Sequence, residues 1–397
     1  MMARMILWLV GCLLAAPLWA APHGAAGHGV AGLESAEIGR AVQALCTKDV
    51  VLLGEDLHHA SATTLNVKVR IVERLVRQCG FRGVVFESQF YDMLDVEHAM
   101  AAGTASRQQL ADAIGALWSR YPQFAPLVGW LYDEAKAGRI RVGGMDPQAG
   151  GIAEHFSLER LPSVLSSVLT GERHKGCEDA IGRQNRWEYD DANPFDAMAL
   201  RQLRGCLRDI RHRLQAMGRH APPELSAMAA SYAAWLGFAD GDSGGRRDRA
   251  MYQNFAWLRS HWPKGTRIVV WCATVHAAKS LEGAYPGIRP FGSYVHAAFG
   301  SRAAAIGFSA LGGSYGNAGG HGAPHVLGVA AAGSLEARAF TGPGSHALRF
   351  VGRAQLHDMG VSPARIINYA KPYTLDWSRV LDGVIVLRKE VAARAKS

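Results

Sequence analysis

The sequence predicts an α/β fold: a mainly parallel sheet flanked by helices, with a helical insertion covering the sheet's carboxyl edge. Three observations carry that reading. Between Val50 and Asp146, short apolar runs alternate with amphipathic stretches, the rhythm of strands joined by helical crossovers. The rhythm breaks at about residues 151–245, where 158–169, 195–217 and 223–238 read as helices with no strand between them. It resumes at 266–272 (TRIVVWC), a strongly apolar strand that ends at a loop.

In chain order, residues 1–4 form a short cationic start and 5–14 an apolar core, and small residues then lead to Leu18-Trp19-Ala20. This is the pattern of a signal peptide over residues 1–21, cut near Ala20 or Ala21. The alternative, a lipoprotein anchored through Cys12, fits less well because apolar residues continue past that cysteine. No later stretch reaches the roughly 18 to 20 apolar residues of a membrane span, so a periplasmic or secreted protein is expected. Residues 22–34 read as a flexible small-residue linker, and 35–397 as the α/β domain with its insertion. There are 43 Lys and Arg against 34 Asp and Glu, but they are scattered and form no basic stripe interleaved with aromatics. Nucleic-acid binding is therefore not expected.

The first helix is expected over 35–46, and the run VVLL at 50–53 is the first strand. A helix follows over about 62–79, with Leu65, Val69, Val72 and Val76 at helical spacing, and Gly80 stops it. The second strand, 83–86, delivers Glu87. Helices are expected at 90–101, 107–117 and 124–137, and a third strand at 140–144 delivers Asp146. Beyond the insertion, 247–262 is helical, 290–300 a short helix, 303–308 a strand, and 383–387 a last strand closing the sheet. The glycine-rich stretch 312–322 lacks both a phosphate-loop ending and dinucleotide spacing, so no cofactor is assigned to it.

Without Cys12, five cysteines remain. Cys177 and Cys206 flank a polar helical stretch and suit a disulfide in an oxidising compartment. Cys46 and Cys79 each end a helix beside a core strand, and either pair or are buried separately. Cys272, in an apolar strand, is expected to be a buried inert thiol.

The chemistry gathers at strand ends. A parallel βαβ unit brings Glu55, His58 and Glu87 to one carboxyl edge, where open α/β sheets place their ligands. His276 arrives there from the end of the 266–272 strand. A carboxylate three residues before a histidine can fix its tautomer, leaving the other ring nitrogen to take a proton from water.

These motifs resemble the erythromycin esterase family. Its opening G-E-x-x-H stands here as Gly54-Glu55-Asp56-Leu57-His58, and its G-F followed by a strand ending in Glu-Ser stands as Gly80-Phe81 and Glu87-Ser88. Gly144-Met145-Asp146, then Arg247-Asp248 with Met251 and Asn254, then 271–276, and finally 300–307 follow its later motifs in order. The resemblance implies that His58 is the general base, Glu55 its orienting partner, Glu87 a second carboxylate and His276 the last histidine. It also implies substrate-binding positions at Lys68, Asp146, Arg247 and Asn254. Two departures stand out: Ala273 and Thr274 replace the family's His and Asn, and Lys68 replaces an Arg. His59 has no place in the pattern; it is a candidate substitute for the histidine lost at Ala273, but as a neighbour of His58 it is expected to point elsewhere.

The leading expectation is an exported hydrolase cleaving a small-molecule ester or lactone by His-activated water, with no metal required. One alternative is a metal-dependent hydrolase in which Glu55, His58, Glu87 and His276 bind Zn or Mn. The other is a non-catalytic exported binding protein, for which Ala273 is the argument.

Overall fold

The computed structural model describes residues 36–395 apart from 151–154, 241–242 and 342–345. The signal peptide and linker expected at 1–34 lie outside the described residues. Five parallel strands form one side of a seven-stranded sheet: β1 (Val50–Glu55), β2 (Gly83–Gln89), β3 (Arg141–Asp146), β4 (Ile268–Ala273) and β5 (Ala303–Ala310). They lie in the order β3-β2-β4-β1-β5, followed by Gly383–Leu387 and then Leu348–Gly352. Gly383–Leu387 is parallel to β5, as expected of a closing strand. The outermost strand, Leu348–Gly352, runs antiparallel and was not anticipated.

Every residue of β1, β2, β4 and β5 is buried. That two-sided burial is why these strands read as continuous apolar runs, with no polar alternation. Helix α1 (Ala36–Leu45) leads into β1, and α2 (Ala62–Cys79) joins β1 to β2. α2 buries Leu65, Val69, Val72 and Val76 and stops at Gly80, which takes a left-handed φ of 73° and returns its N–H to the Leu75 carbonyl.

The insertion is helical, as predicted, and includes a helix that the periodicity does not delimit, Gly171–Arg186. Its helices pack about the carboxyl ends of β2 and β3. The Ser157 hydroxyl donates to Gln89 Oε1 at the end of β2, and the Tyr91 hydroxyl donates to Ser231 Oγ. Leu161, Ile181, Leu207 and Tyr232 of the insertion share one apolar core with Val85 and Val270 of the sheet.

Both candidate cysteine pairs are disulfides. Cys46–Cys79 (Cα–Cα 4.9 Å) ties the segment after α1 to the end of α2, and Cys177–Cys206 (5.4 Å) cross-links two insertion helices. Cys272 is buried and unpaired. Among the described residues, no helix is long and apolar enough to cross a membrane.

Candidate active site

Four strand ends converge on one polar cluster. β1 ends on Glu55 and β3 on Asp146, while β2 carries Glu87 within an irregular stretch of its pairing with β3. A break in register of this kind re-aims a side chain at a sheet edge. β4 passes directly into the short helix Thr274–Ala277, which holds His276. Gly54 is needed here, because a Cβ on it would lie 2.6 Å from the Thr274 Cα. The Thr274 hydroxyl donates to the Gly54 carbonyl and locks the two ends together.

One half of the cluster is an ion network around Arg247, on helix Ser243–His261. The guanidinium reaches Asp146 through Nη2 (2.6 Å to Oδ2) and Nε (3.3 Å to Oδ1), and Glu87 Oε1 at 2.9 Å. Glu87 Oε2 accepts from the Ala273 N–H at 2.8 Å. His276 lies between two carboxylates, Nδ1 on Asp248 (2.9 Å) and Nε2 on Glu87 (3.1 Å). Burial works against a charged ring there, but Asp248 and Glu87 outweigh it and raise the His276 pKa to about 10. The ring is therefore an imidazolium at neutral pH, donating both protons. Arg247 Nη1, 3.1 Å from the same Nε2, is then a neighbouring cation and no donor to it. Burial alone would raise Glu87, yet His276 and Arg247 hold it well below the usual carboxylate range.

The other half is built on Glu55, and here the expected pairing is corrected. Glu55 holds His59, with Nδ1 to Oε1 at 3.0 Å, and does not pair with His58. The same Oε1 accepts from the Trp118 indole N–H at 2.6 Å, and Lys68 closes on Oε2. His59 has a positive φ of 57°, and that left-handed turn swings its ring inward. It packs edge-on against Trp118, 5.3 Å between centroids. Burial lowers the His59 pKa, and although Glu87 and Asp56 oppose the shift, His276 and Arg247 push in the same direction as burial. The charges of Glu87, His276 and Arg247 thus all act on the His59 ring. His58 instead turns to Asp56 (Nδ1 to Oδ1, 2.7 Å) and packs against Tyr315, 4.8 Å between ring centroids. Asp56 is itself fixed by the Tyr369 N–H.

Two expected substrate contacts lie elsewhere. Lys68 has no exposed surface: it sits over the Trp271 ring at 4.0 Å, beneath Glu55, and supports that carboxylate from behind. Burial draws its pKa well below the lysine range, and Cys272 and Glu87 pull the other way. Asn254 is buried behind β3, its amide donating to the Met145 carbonyl and the Ser231 hydroxyl. Asp146 is buried under Arg247, which keeps about a quarter of its side chain exposed.

Asp248 and Trp118 complete the cluster, and neither was assigned a role from the sequence. Asp248 was visible beside Arg247, but its partner was not. Among the described residues, no group of three or more His, Cys, Asp or Glu is arranged to hold a metal ion. Glu55 and Glu87 each face a cation, Lys68 and Arg247, where a metal ligand would face its metal. The proposed Zn or Mn ligand set does not fit this geometry.

The sequence profile of the erythromycin esterase family matches residues 76–383. The match begins within α2, so the assignments of Glu55, His58, His59 and Lys68 rest on the geometry above. No curated protein matches the chain. Among solved structures, a Bacillus cereus protein is similar over 93% of each chain, with a TM-score of 0.69 at 16% identity. A succinoglycan biosynthesis protein is similar over 90% of this chain and 92% of its own, with a TM-score of 0.65 at 15% identity. The erythromycin esterase EreC, as a mutant in its open conformation, is similar over 90% of this chain and 94% of its own, with a TM-score of 0.66 at 14% identity. At these identities the structures speak for the fold, and the family profile speaks for ancestry and for a hydrolase. The chain belongs to the erythromycin esterase family.

Proposed function

We propose that this protein is an exported hydrolase of a small-molecule carboxylic ester or lactone, and that His59 is the base that activates water. The observation that carries this reading is the Glu55–His59 contact in a buried site that keeps the ring neutral. The neutral ring holds its Nδ1 proton toward Glu55 and leaves Nε2 to accept a proton from water. The water oxygen adds to the ester carbonyl, and the charge that develops on the carbonyl oxygen is met by the partly exposed Arg247. Collapse breaks the carbon–oxygen bond, and the leaving alkoxide takes the proton back from the His59 imidazolium, giving an acid and an alcohol. The charged His276 fixes Glu87, and Glu87 in turn fixes Arg247. The two disulfides support export, since such bonds persist in oxidising compartments.

The test is a screen of purified protein against simple esters and macrolactones, with and without chelator, alongside a Glu55→Gln variant. Turnover that resists chelator and is lost in Glu55→Gln supports the proposal. Turnover that chelator abolishes, or that Glu55→Gln retains, overturns it. Tight binding of a lactone without turnover would favour the non-catalytic reading instead.

A further inference from the structure

Beyond the Asp146 end of β3, the loop to Gly150 forms one wall of a second cleft, of about 520 Å³, that the hydrolytic chemistry does not use. Its walls include Gln148, Gln184, Asn185, Arg186, Trp187 and Trp235. Gly150 lets the loop lie against the Gly171–Arg186 helix; a Cβ there would lie 2.1 Å from the Asn185 carbonyl oxygen.

Three features mark the cleft. Trp187 is the left-handed C-cap of the Gly171–Arg186 helix (φ 52°, ψ 48°), its N–H on the Arg183 and Gln184 carbonyls, a position usually filled by glycine that here sets a large ring at the helix end. Its indole is 60% exposed, yet it is held in place by the rings of Tyr189 and Phe195, with centroids 5.4 and 5.5 Å away. Gln184 is only 5% exposed, lines the cleft, and its Oε1 has no hydrogen-bond partner, a condition native proteins rarely leave unresolved.

The polarity of the walls narrows the ligand. Arg186, the charged residue among those named, is paired with Glu188 through Nε to Oε1 at 2.7 Å. Asn185 is spoken for by the Ser157 carbonyl and the Tyr232 hydroxyl. What is left is an uncharged cleft with an exposed aromatic face, a second indole and a buried acceptor. Rigid aromatics with a few placed polar groups suit a ligand that is apolar on one face and hydroxylated at its rim.

We propose that this cleft is a binding site for a pyranose ring, whose C–H face stacks on Trp187 while one hydroxyl donates to Gln184 Oε1. The Gln148 N–H bonds Asp146 Oδ1, so the cleft shares its loop with the Arg247 network. The inference goes beyond the hydrolytic reading, and its test reads binding alone, so the two stand or fail separately.

The experiment is a titration of the full protein with a panel of methyl pyranosides, followed by saturation-transfer NMR and indole fluorescence. Cyclohexylmethanol serves as the probe that matches the ring without its hydroxyl array. The expected result is saturable binding of at least one pyranoside, about tenfold weaker in Trp187→Asn, which keeps the left-handed turn, and weaker again in Gln184→Met. His59→Asn should bind the sugar like wild type. No saturable pyranoside binding, equal binding by Trp187→Asn, or cyclohexylmethanol binding as tightly as the sugars would each overturn the proposal. Denaturant midpoints for Gln184→Met identify loss through misfolding, and Trp187→Asn, altered at an exposed ring, then decides the matter.

Discussion

His58 and His59 are adjacent, and exchanging the role between them is the most direct challenge to the mechanism. In His59→Asn the turn is preserved, because asparagine tolerates the left-handed conformation that His59 adopts at φ 57°. The variant loses the hydrogen bond to Glu55 and the edge contact with Trp118. A hydrogen bond to a charged group is worth about 1.5–3 kcal/mol and an aromatic contact about 0.5–1.5 kcal/mol, so a fold of this size should survive both losses. Catalysis should not survive. A general base contributes about 10²–10⁴-fold, which is about 3–5.5 kcal/mol of barrier. His58→Asn disturbs only a partly exposed ring whose partner, Asp56, is still held by the Tyr369 N–H, so kcat/KM should stay within about threefold of wild type. The assay is kcat/KM for both variants on an ester that the wild type hydrolyses, with urea midpoints measured alongside. A His59→Asn enzyme near wild-type activity would refute the reasoning. So would an equal loss in His58→Asn at unchanged stability.

Because the His59 pKa is lowered from 6.5 and the neutral ring is the base, the acid limb of kcat/KM should fall below pH 6.5; a limb at or above that value contradicts a buried neutral base. His276 has a folded pKa of about 10, above its unfolded value, so its stabilisation is full below about pH 6.5 and lost as pH rises through about 10. Urea midpoints of His276→Gln should lack that alkaline decline; a decline matching wild type would assign it to other groups. Lys68→Met leaves Glu55 buried without its cation and should cost about 3–5 kcal/mol in denaturant unfolding, and a cost below 1 kcal/mol would show that Trp118 and His59 suffice to hold the carboxylate. Intact-mass analysis of exported protein should give a mature N-terminus near Ala21 or Pro22 and two disulfides; a full-length mass or free thiols at Cys177 and Cys206 would contradict export.

The sheet was legible because its buried strands are apolar on both faces. Leu348–Gly352 was missed because an edge strand of five residues, with Arg349 and Gly352 half-buried, shows no comparable run. The site was legible as a set of strand ends but not as a set of partners. Glu55, Glu87, Asp146, Arg247 and His276 all reach it, since a strand end fixes where a residue emerges. Which of two neighbouring histidines turns inward depends on one backbone angle at His59, and nothing in the residue types encodes it. Lys68 did carry a readable signal. It falls three residues after Leu65 and four before Val72, on the apolar stripe of α2, where a lysine must be buried against a carboxylate. Trp118 is separated from Glu55 by 63 residues and by a helix break at Gly115, so its hydrogen bond had no local signature.

Arg247 reaches back 160 residues to Glu87 and 101 residues to Asp146, from a helix that follows the whole insertion. The sheet's carboxyl edge therefore owes its electrostatic balance to a late segment of the chain. If that helix opens, Glu87, Asp146 and the cationic His276 are left facing one another without their shared guanidinium, and the edge disorganises while the strands beneath stay paired. Catalytic competence is then set by a sub-global opening and not by global unfolding. On a denaturant ramp, turnover should disappear before the sheet's circular dichroism changes, and amide exchange in the Arg247 helix should rise at the same denaturant concentration at which turnover is lost.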